Sequence, residues 1–116
     1  MTFPKFAVPR YMYQEDYYPP FAHGAGYLVP LNRTPCLFQK GLDTRYLFMD
    51  DAFVTGLVRK KCGMEARNEN RISPDNKRIC GIRKRDLVIH YVGPDSMYNV
   101  HKFMTENFEL ECMNKP

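Results

Sequence analysis

The stretch Phe48-Met49-Asp50-Asp51-Ala52-Phe53-Val54-Thr55-Gly56 decides how this chain is read. Two carboxylates stand before an apolar run, and Phe53, Val54, Leu57 and Val58 recur at the spacing of one helical face. Arg59, Lys60 and Lys61 close the run, and Gly63 follows. Acids at the start, bases at the finish and a glycine just beyond suit the helix dipole and its usual stop signal. The spacing therefore predicts a helix opened by Asp50 and Asp51.

Upstream of it lies Tyr17-Tyr18-Pro19-Pro20-Phe21-Ala22-His23-Gly24-Ala25-Gly26-Tyr27, an aromatic and proline-rich turn that enters a glycine-flanked loop. Residues 1 to 23 show no periodicity and read as extended chain and turns, with at most a short strand near Phe6-Ala7-Val8. The loop from Gly24 leads into an expected short strand at Tyr27-Leu28-Val29. Pro30 and Pro35 bracket an irregular stretch and argue against a long helix before Cys36. Within it, Asn32-Arg33-Thr34 has the form of an N-glycosylation acceptor, with Pro35 directly after it. Downstream, residues 64 to 78 are polar and read as a loop. Leu87-Val88-Ile89-His90-Tyr91-Val92 reads as a buried strand. Gly93-Pro94-Asp95 turns into a last helix with Met97, Val100, His101, Met104 and Phe108 along one side. No internal repeat and no linker marks a second domain, so residues 1–116 read as a single segment.

Composition sets the outer limits. The 116 residues are 44% apolar, 26% charged and 14% aromatic, which is the make-up of a folded domain rather than a disordered one. A net charge of +4 is too weak by itself to imply nucleic acid or an anionic membrane. No apolar run has the length of a membrane span, and no targeting segment is legible at the start. The four cysteines (Cys36, Cys62, Cys80, Cys112) contain no close pair, which disfavours a zinc site and leaves disulfides and buried thiols open.

Each candidate for chemistry has a structural reading beside the functional one. Asp50 and Asp51 can simply cap a helix. Held at the positive end of the helix dipole, one of them can also serve as a general base toward a hydroxyl, while its neighbour caps. Gly24-Ala25-Gly26 is an ordinary turn, or a backbone that lets a ligand approach closely, with Tyr27 as a stacking surface. His90, at the end of the expected strand, is a packed imidazole or a metal ligand. His101 is expected to pack on the last helix. Arg83-Lys84-Arg85 reads as a solvated loop and strand edge, because Asp75 and Asp86 interrupt the basic cluster and no nucleic-acid motif accompanies it.

Taken in order, these segments resemble the later part of the β-1,3-galactosyltransferase-type enzymes, glycosyltransferase family 31. The matching blocks are Tyr17 to Phe21, Gly24 to Leu28, Asp50 to Gly56, Arg59 to Gly63 and Leu87 to His90, with Pro94 and Met97 beyond. The resemblance implies an α/β fold: the C-terminal portion of a glycosyltransferase-A-like mixed sheet with flanking helices, incomplete as a domain. It implies inverting transfer of a hexose, galactose or N-acetylhexosamine, from a UDP-sugar donor to a glycan acceptor hydroxyl. Asp51, or else Asp50, would be the catalytic base. Gly24, Ala25, Gly26 and Tyr27 would line the substrate, and His90 would complete a manganese (Mn2+) site. Location in the Golgi lumen follows from the resemblance alone, with membrane attachment only through an N-terminal anchor outside these residues. The family's Asp-x-Asp triplet does not occur in this sequence, and its nucleotide-binding half is not represented. The chain by itself is therefore expected to be inactive. The alternative is a non-catalytic remnant that binds a glycan or a partner.

Overall fold

The helix expected after Asp50 forms, and the first unit of the structure is built on it. The computed structural model describes residues 8–75 and 81–106. It divides into two units, Met1–Asn68 and Glu69–Pro116. Phe6, Ala7, Lys77, Arg78, Cys80, Phe108 and Cys112 lie outside the described residues.

In the first unit a 3-10 turn, Leu31–Arg33, runs into helix α1, Thr34–Leu42. Pro35 stands in the first turn of α1, where its missing N–H would have had no helical partner. No long helix precedes Cys36, as expected: the 3-10 turn fills the stretch between the two prolines, and α1, which the sequence reading did not name, runs on to Leu42. The strand expected at Tyr27-Leu28-Val29 does not form. Among the described residues no strand pairs with it, Leu28 is 70% exposed, and Pro30 follows directly.

Helix α2 consists of a π-helical segment, Ala52–Val58, continued by α-helical Arg59–Lys61. Its wide turn has an identifiable cause. The Thr55 hydroxyl donates to the Asp51 carbonyl at 2.6 Å, and Arg59 Nε donates to the Thr55 carbonyl at 2.6 Å. Both carbonyls would normally accept the N–H four residues on. The Arg59 N–H accordingly reaches back to Val54, five residues away, as well as to Gly56. The wider turn also changes which face is covered. Ala52, Thr55, Gly56 and Val58 are buried, whereas Phe53, Val54 and Leu57 are half-buried, so the expected face of 53, 54, 57 and 58 is corrected.

The end of α2 follows its sequence closely. Gly63 has φ +64°, its N–H donates to the Lys60 carbonyl at 3.1 Å, and the Met64 N–H donates to the Arg59 carbonyl at 3.3 Å. Those two bonds make a Schellman closure, which needs a left-handed residue where only glycine is unstrained. The Arg59 guanidinium also bonds the Met64 carbonyl.

A disulfide joins Cys36 of α1 to Cys62 at the end of α2, with the Cα atoms 6.0 Å apart. It closes a loop of 26 residues, a constraint on the unfolded chain of about 3.5 kcal/mol. The same bond removes Cys62 from any metal site. Arg33 Nη2 donates to the Cys62 carbonyl at 2.7 Å beside it. The apolar core is small: among the described residues, Leu47, Ala52 and Val58 are buried. Leu28, Leu31, Phe38 and Leu42 are 70%, 85%, 64% and 69% exposed.

The second unit carries two short parallel strands, β1 (Ile72–Ser73) and β2 (Val88–Ile89), paired Ile72 to Val88 and Ser73 to Ile89. The long buried strand expected over 87–92 is therefore two residues long and half-buried, with Leu87 49% exposed. With β1 as its sole described partner, β2 has nothing to extend against. Helix α3, Pro94–Glu106, follows. Ser96, Val100 and Phe103 form its sheltered side, while Met97, His101 and Met104 are exposed. His101 does not pack as expected. Arg83, Lys84 and Arg85 are exposed, and Arg83 pairs with Asp86 at 3.1 Å. The architecture is mixed α/β, with a two-stranded parallel sheet and short helices. Among the described residues no helix is long and apolar enough to cross a membrane.

Candidate active site

The aromatic–proline segment is laid along α2 and fixed at one point. The Ala22 N–H donates to Thr55 Oγ1 at 2.7 Å. Gly56 makes the close approach possible: a Cβ there would stand 3.2 Å from Phe21 Cβ and 3.5 Å from Pro19 Cγ. Arg59 Nη2 adds a bond to the Pro20 carbonyl at 3.0 Å. Behind this seam Tyr13 and Tyr18 pack with ring centroids 4.7 Å apart, and Phe21 meets Tyr18 edge-on at 6.1 Å. Burial raises both tyrosine phenols above their ordinary value, with the charge of Glu15 adding to the effect at Tyr13 and Tyr13 itself adding to it at Tyr18.

The consequence is where the next residues go. Two positions past Ala22, the backbone of Gly24 arrives at Asp51. A Cβ on Gly24 would lie 3.2 Å from Asp51 Oδ2, so the missing side chain leaves that oxygen's place beside the loop. Asp51 Oδ1 accepts from the Ala52 N–H at 2.8 Å. Asp51 is half-buried and Asp50 is exposed. The division of labour expected between the two carboxylates is therefore not found: Asp51 both caps the helix and faces the loop. The loop itself is a turn, closed by Gly26 N–H to the His23 carbonyl at 3.3 Å and by Ala25 N–H to His23 Nδ1 at 3.0 Å. Tyr27, 40% exposed, follows it.

Sequence reasoning named Asp51, Gly24, Ala25 and Gly26 and missed what holds them together. Thr55, Gly56 and Arg59 do that, from positions inside the quoted helix. A threonine and a glycine side by side in a helix interior, both poor helix formers, are the signal that points there.

His90 belongs to the second unit. It directly follows β2, with its N–H donating to the Ser73 carbonyl at 3.1 Å. Its Nδ1 lies 3.2 Å from the Pro74 carbonyl, which can only accept, so Nδ1 carries the proton. The ring rests on Tyr91 at 4.2 Å, and Tyr91 has φ +57°. A backbone carbonyl on one nitrogen is a common way to fix a metal-binding tautomer. Among the described residues, however, no group of three or more His, Cys, Asp or Glu side chains is placed to hold a metal ion. Manganese takes several hard donors, so it does not fit as a cofactor held by these residues unaided.

Comparison with known proteins points the same way as the motifs. The chain is 27% identical over 110 residues to β-1,3-galactosyltransferase 1 of Mus musculus, and equally so to that of Homo sapiens. The chain is similar to the β-1,3-galactosyltransferases. The match takes in 93% of the chain and 33% of each relative, so the chain spans about a third of the length of the curated relatives it matches. No family model matches, and no solved structure matches. The similarity to the galactosyltransferases supports a glycosyltransferase kind of protein. It covers the stretch from the aromatic turn to α3, so the Asp51–Gly24 seam lies within it.

Proposed function

We propose that these residues form the acceptor side of an inverting hexosyltransferase, with Asp51 as its general base. The acceptor is a hydroxyl of a glycan, and the donor is a UDP-hexose, galactose or N-acetylhexosamine. The hydroxyl oxygen attacks the anomeric carbon from the face opposite the nucleotide. Asp51 Oδ2 takes the hydroxyl proton, the new C–O bond forms, and the bond to the diphosphate breaks with its electron pair leaving on UDP. A positioned base of this kind supplies about 10²- to 10⁴-fold in rate.

One observation carries the reading: a half-buried carboxylate is tied by one oxygen to the helix start while the other lies against a side-chain-free backbone. A cap alone needs no such loop. The Gly24–Gly26 turn would let a sugar ring come close to Asp51, and Tyr27 would give it a face to stack on. The fold is read as the later portion of a glycosyltransferase-A-like domain. The small core, the exposed apolar side chains of α1 and the one-third coverage of the relatives support it. His90 is proposed as one ligand of a manganese site whose remaining donors are not among the described residues. Action in the Golgi lumen is part of the same proposal.

The test is hexose transfer from UDP-[³H]hexose to a saccharide acceptor. The purified 116-residue chain, with manganese present, is expected to give none, and robust turnover would refute the reading of the chain as one side of a site.

A further inference from the structure

We propose that Asn32 is itself an N-glycosylation site. Asn32-Arg33-Thr34 is the only Asn-x-Ser/Thr triplet in the sequence, and it carries threonine at the third position. Asn32 is exposed, on the 3-10 turn Leu31–Arg33. Four residues on, Cys36 is bonded to Cys62. Such a bond is made and kept in an oxidising compartment, of which the endoplasmic reticulum is one, and that is where a eukaryotic cell glycosylates asparagine. The acceptor and the disulfide are thus independent pointers to one environment. The inference does not depend on the sugar-transfer reading.

The chemistry is a group transfer from a lipid-pyrophosphate-linked oligosaccharide. The side-chain amide nitrogen of Asn32 attacks the anomeric carbon, and a C–N bond forms. The bond from that carbon to the pyrophosphate oxygen breaks with its electron pair on the lipid pyrophosphate, and the amide proton passes to a base of the transferring enzyme. Nothing is oxidised or reduced.

The folded turn also sets an order of events. Thr34 Oγ1 donates to the Leu31 carbonyl at 2.7 Å, and Thr34 has helical backbone angles of φ −59° and ψ −37°. A residue before proline is held away from that conformation in an unfolded chain. The hydroxyl that the transferase must engage is therefore accessible before the turn closes and occupied afterwards, so transfer precedes closure of the turn. The finished glycan would stand beside Leu31, which is 85% exposed, and would shield it from water-driven association.

The test is expression of the chain through the endoplasmic reticulum of a cultured eukaryotic cell. Total protein is denatured and treated with peptide-N-glycosidase, so the readout does not depend on folding. Wild-type protein is expected to gain mobility on treatment, and the peptide containing residue 32 is expected to carry aspartate there afterwards. Asn32→Gln and Thr34→Ala are each expected to abolish both signals. A wild-type chain with no mobility change and with asparagine retained at residue 32 would overturn the proposal. So would a shift that survives in Asn32→Gln.

Discussion

Replacing Thr55 by valine tests the seam on which the site depends. Valine keeps the branched shape and removes the oxygen that accepts the Ala22 N–H at 2.7 Å and donates to the Asp51 carbonyl at 2.6 Å. Thr55 is 7% exposed, so the Ala22 N–H would be left against an apolar surface. An unsatisfied donor in that position costs about 1–3 kcal/mol. The Asp51 carbonyl can recover an ordinary helical partner, which brings the expected net loss to about 1.5 kcal/mol. With a urea m-value of about 1.5 kcal/mol per M, the unfolding midpoint should fall by about 1 M. Thr55→Ser keeps the hydroxyl and should lose only about 0.8 kcal/mol for its methyl group. Urea denaturation followed by fluorescence measures both losses. Amide hydrogen exchange probes the bond directly: the Ala22 N–H should exchange about threefold faster in the valine variant than in the serine variant, the ratio that a difference of about 0.7 kcal/mol gives. Equal midpoints and unchanged protection at Ala22 would refute the claim that Thr55 fixes the loop.

Other consequences follow from the same contacts. Gly24→Ala should push the Asp51 carboxylate aside by a few tenths of an ångström, because the new Cβ would sit 3.2 Å from Oδ2; hexose transfer by the natural polypeptide should fall while the unfolding free energy in urea stays within about 0.5 kcal/mol of wild type. Cys36→Ser should cost about 3.5 kcal/mol, read as a fall in midpoint that reductant reproduces in the wild type and not in the variant. Glu69 accepts from the Arg71 N–H, Nε and Nη2 at 3.1, 2.8 and 2.7 Å, and the side-chain hydrogen bonds to Arg71 hold its carboxyl at about 2, below the ordinary 4.5. Its folded value is the lower one, so the stability it contributes is complete above the ordinary carboxylate range and is lost as pH falls toward about 2. A carbon-detected NMR titration should show that midpoint in wild type, and one near 4.5 would contradict the pairing.

The parts of the fold legible in advance are those governed by local rules. Asp50 to Gly63 announced a helix because charge order, apolar spacing and a terminal glycine agree, and the closure at Gly63 is the one those residues specify. Its π-helical turn was not legible, since it arises from side chains of Thr55 and Arg59 capturing carbonyls that the sequence assigns to the backbone. Helix α1 went unread beyond Cys36 because a proline forbids the interior of a helix and favours its first turn, and spacing alone does not distinguish the two. Leu87 to Val92 misled for a different reason. An apolar run gives the propensity to form a strand, while strand length depends on a partner that only tertiary structure supplies. Of the candidate site, Asp51 and the Gly24 loop were readable as types of residue. Their contact, 27 positions apart in sequence, depends on the Ala22–Thr55 bond and on a glycine at 56.

The most direct measurement is the rate of hexose transfer from UDP-hexose by the natural polypeptide that contains these 116 residues, with Asp51 and with Asp51→Asn. Asparagine keeps the size and the bond to the Ala52 N–H and removes the basic oxygen. A fall in kcat of about 10²- to 10⁴-fold with UDP affinity unchanged is the predicted result. An Asp51→Asn protein that transfers hexose at the wild-type rate, with Asp50→Asn inactive instead, would contradict the account.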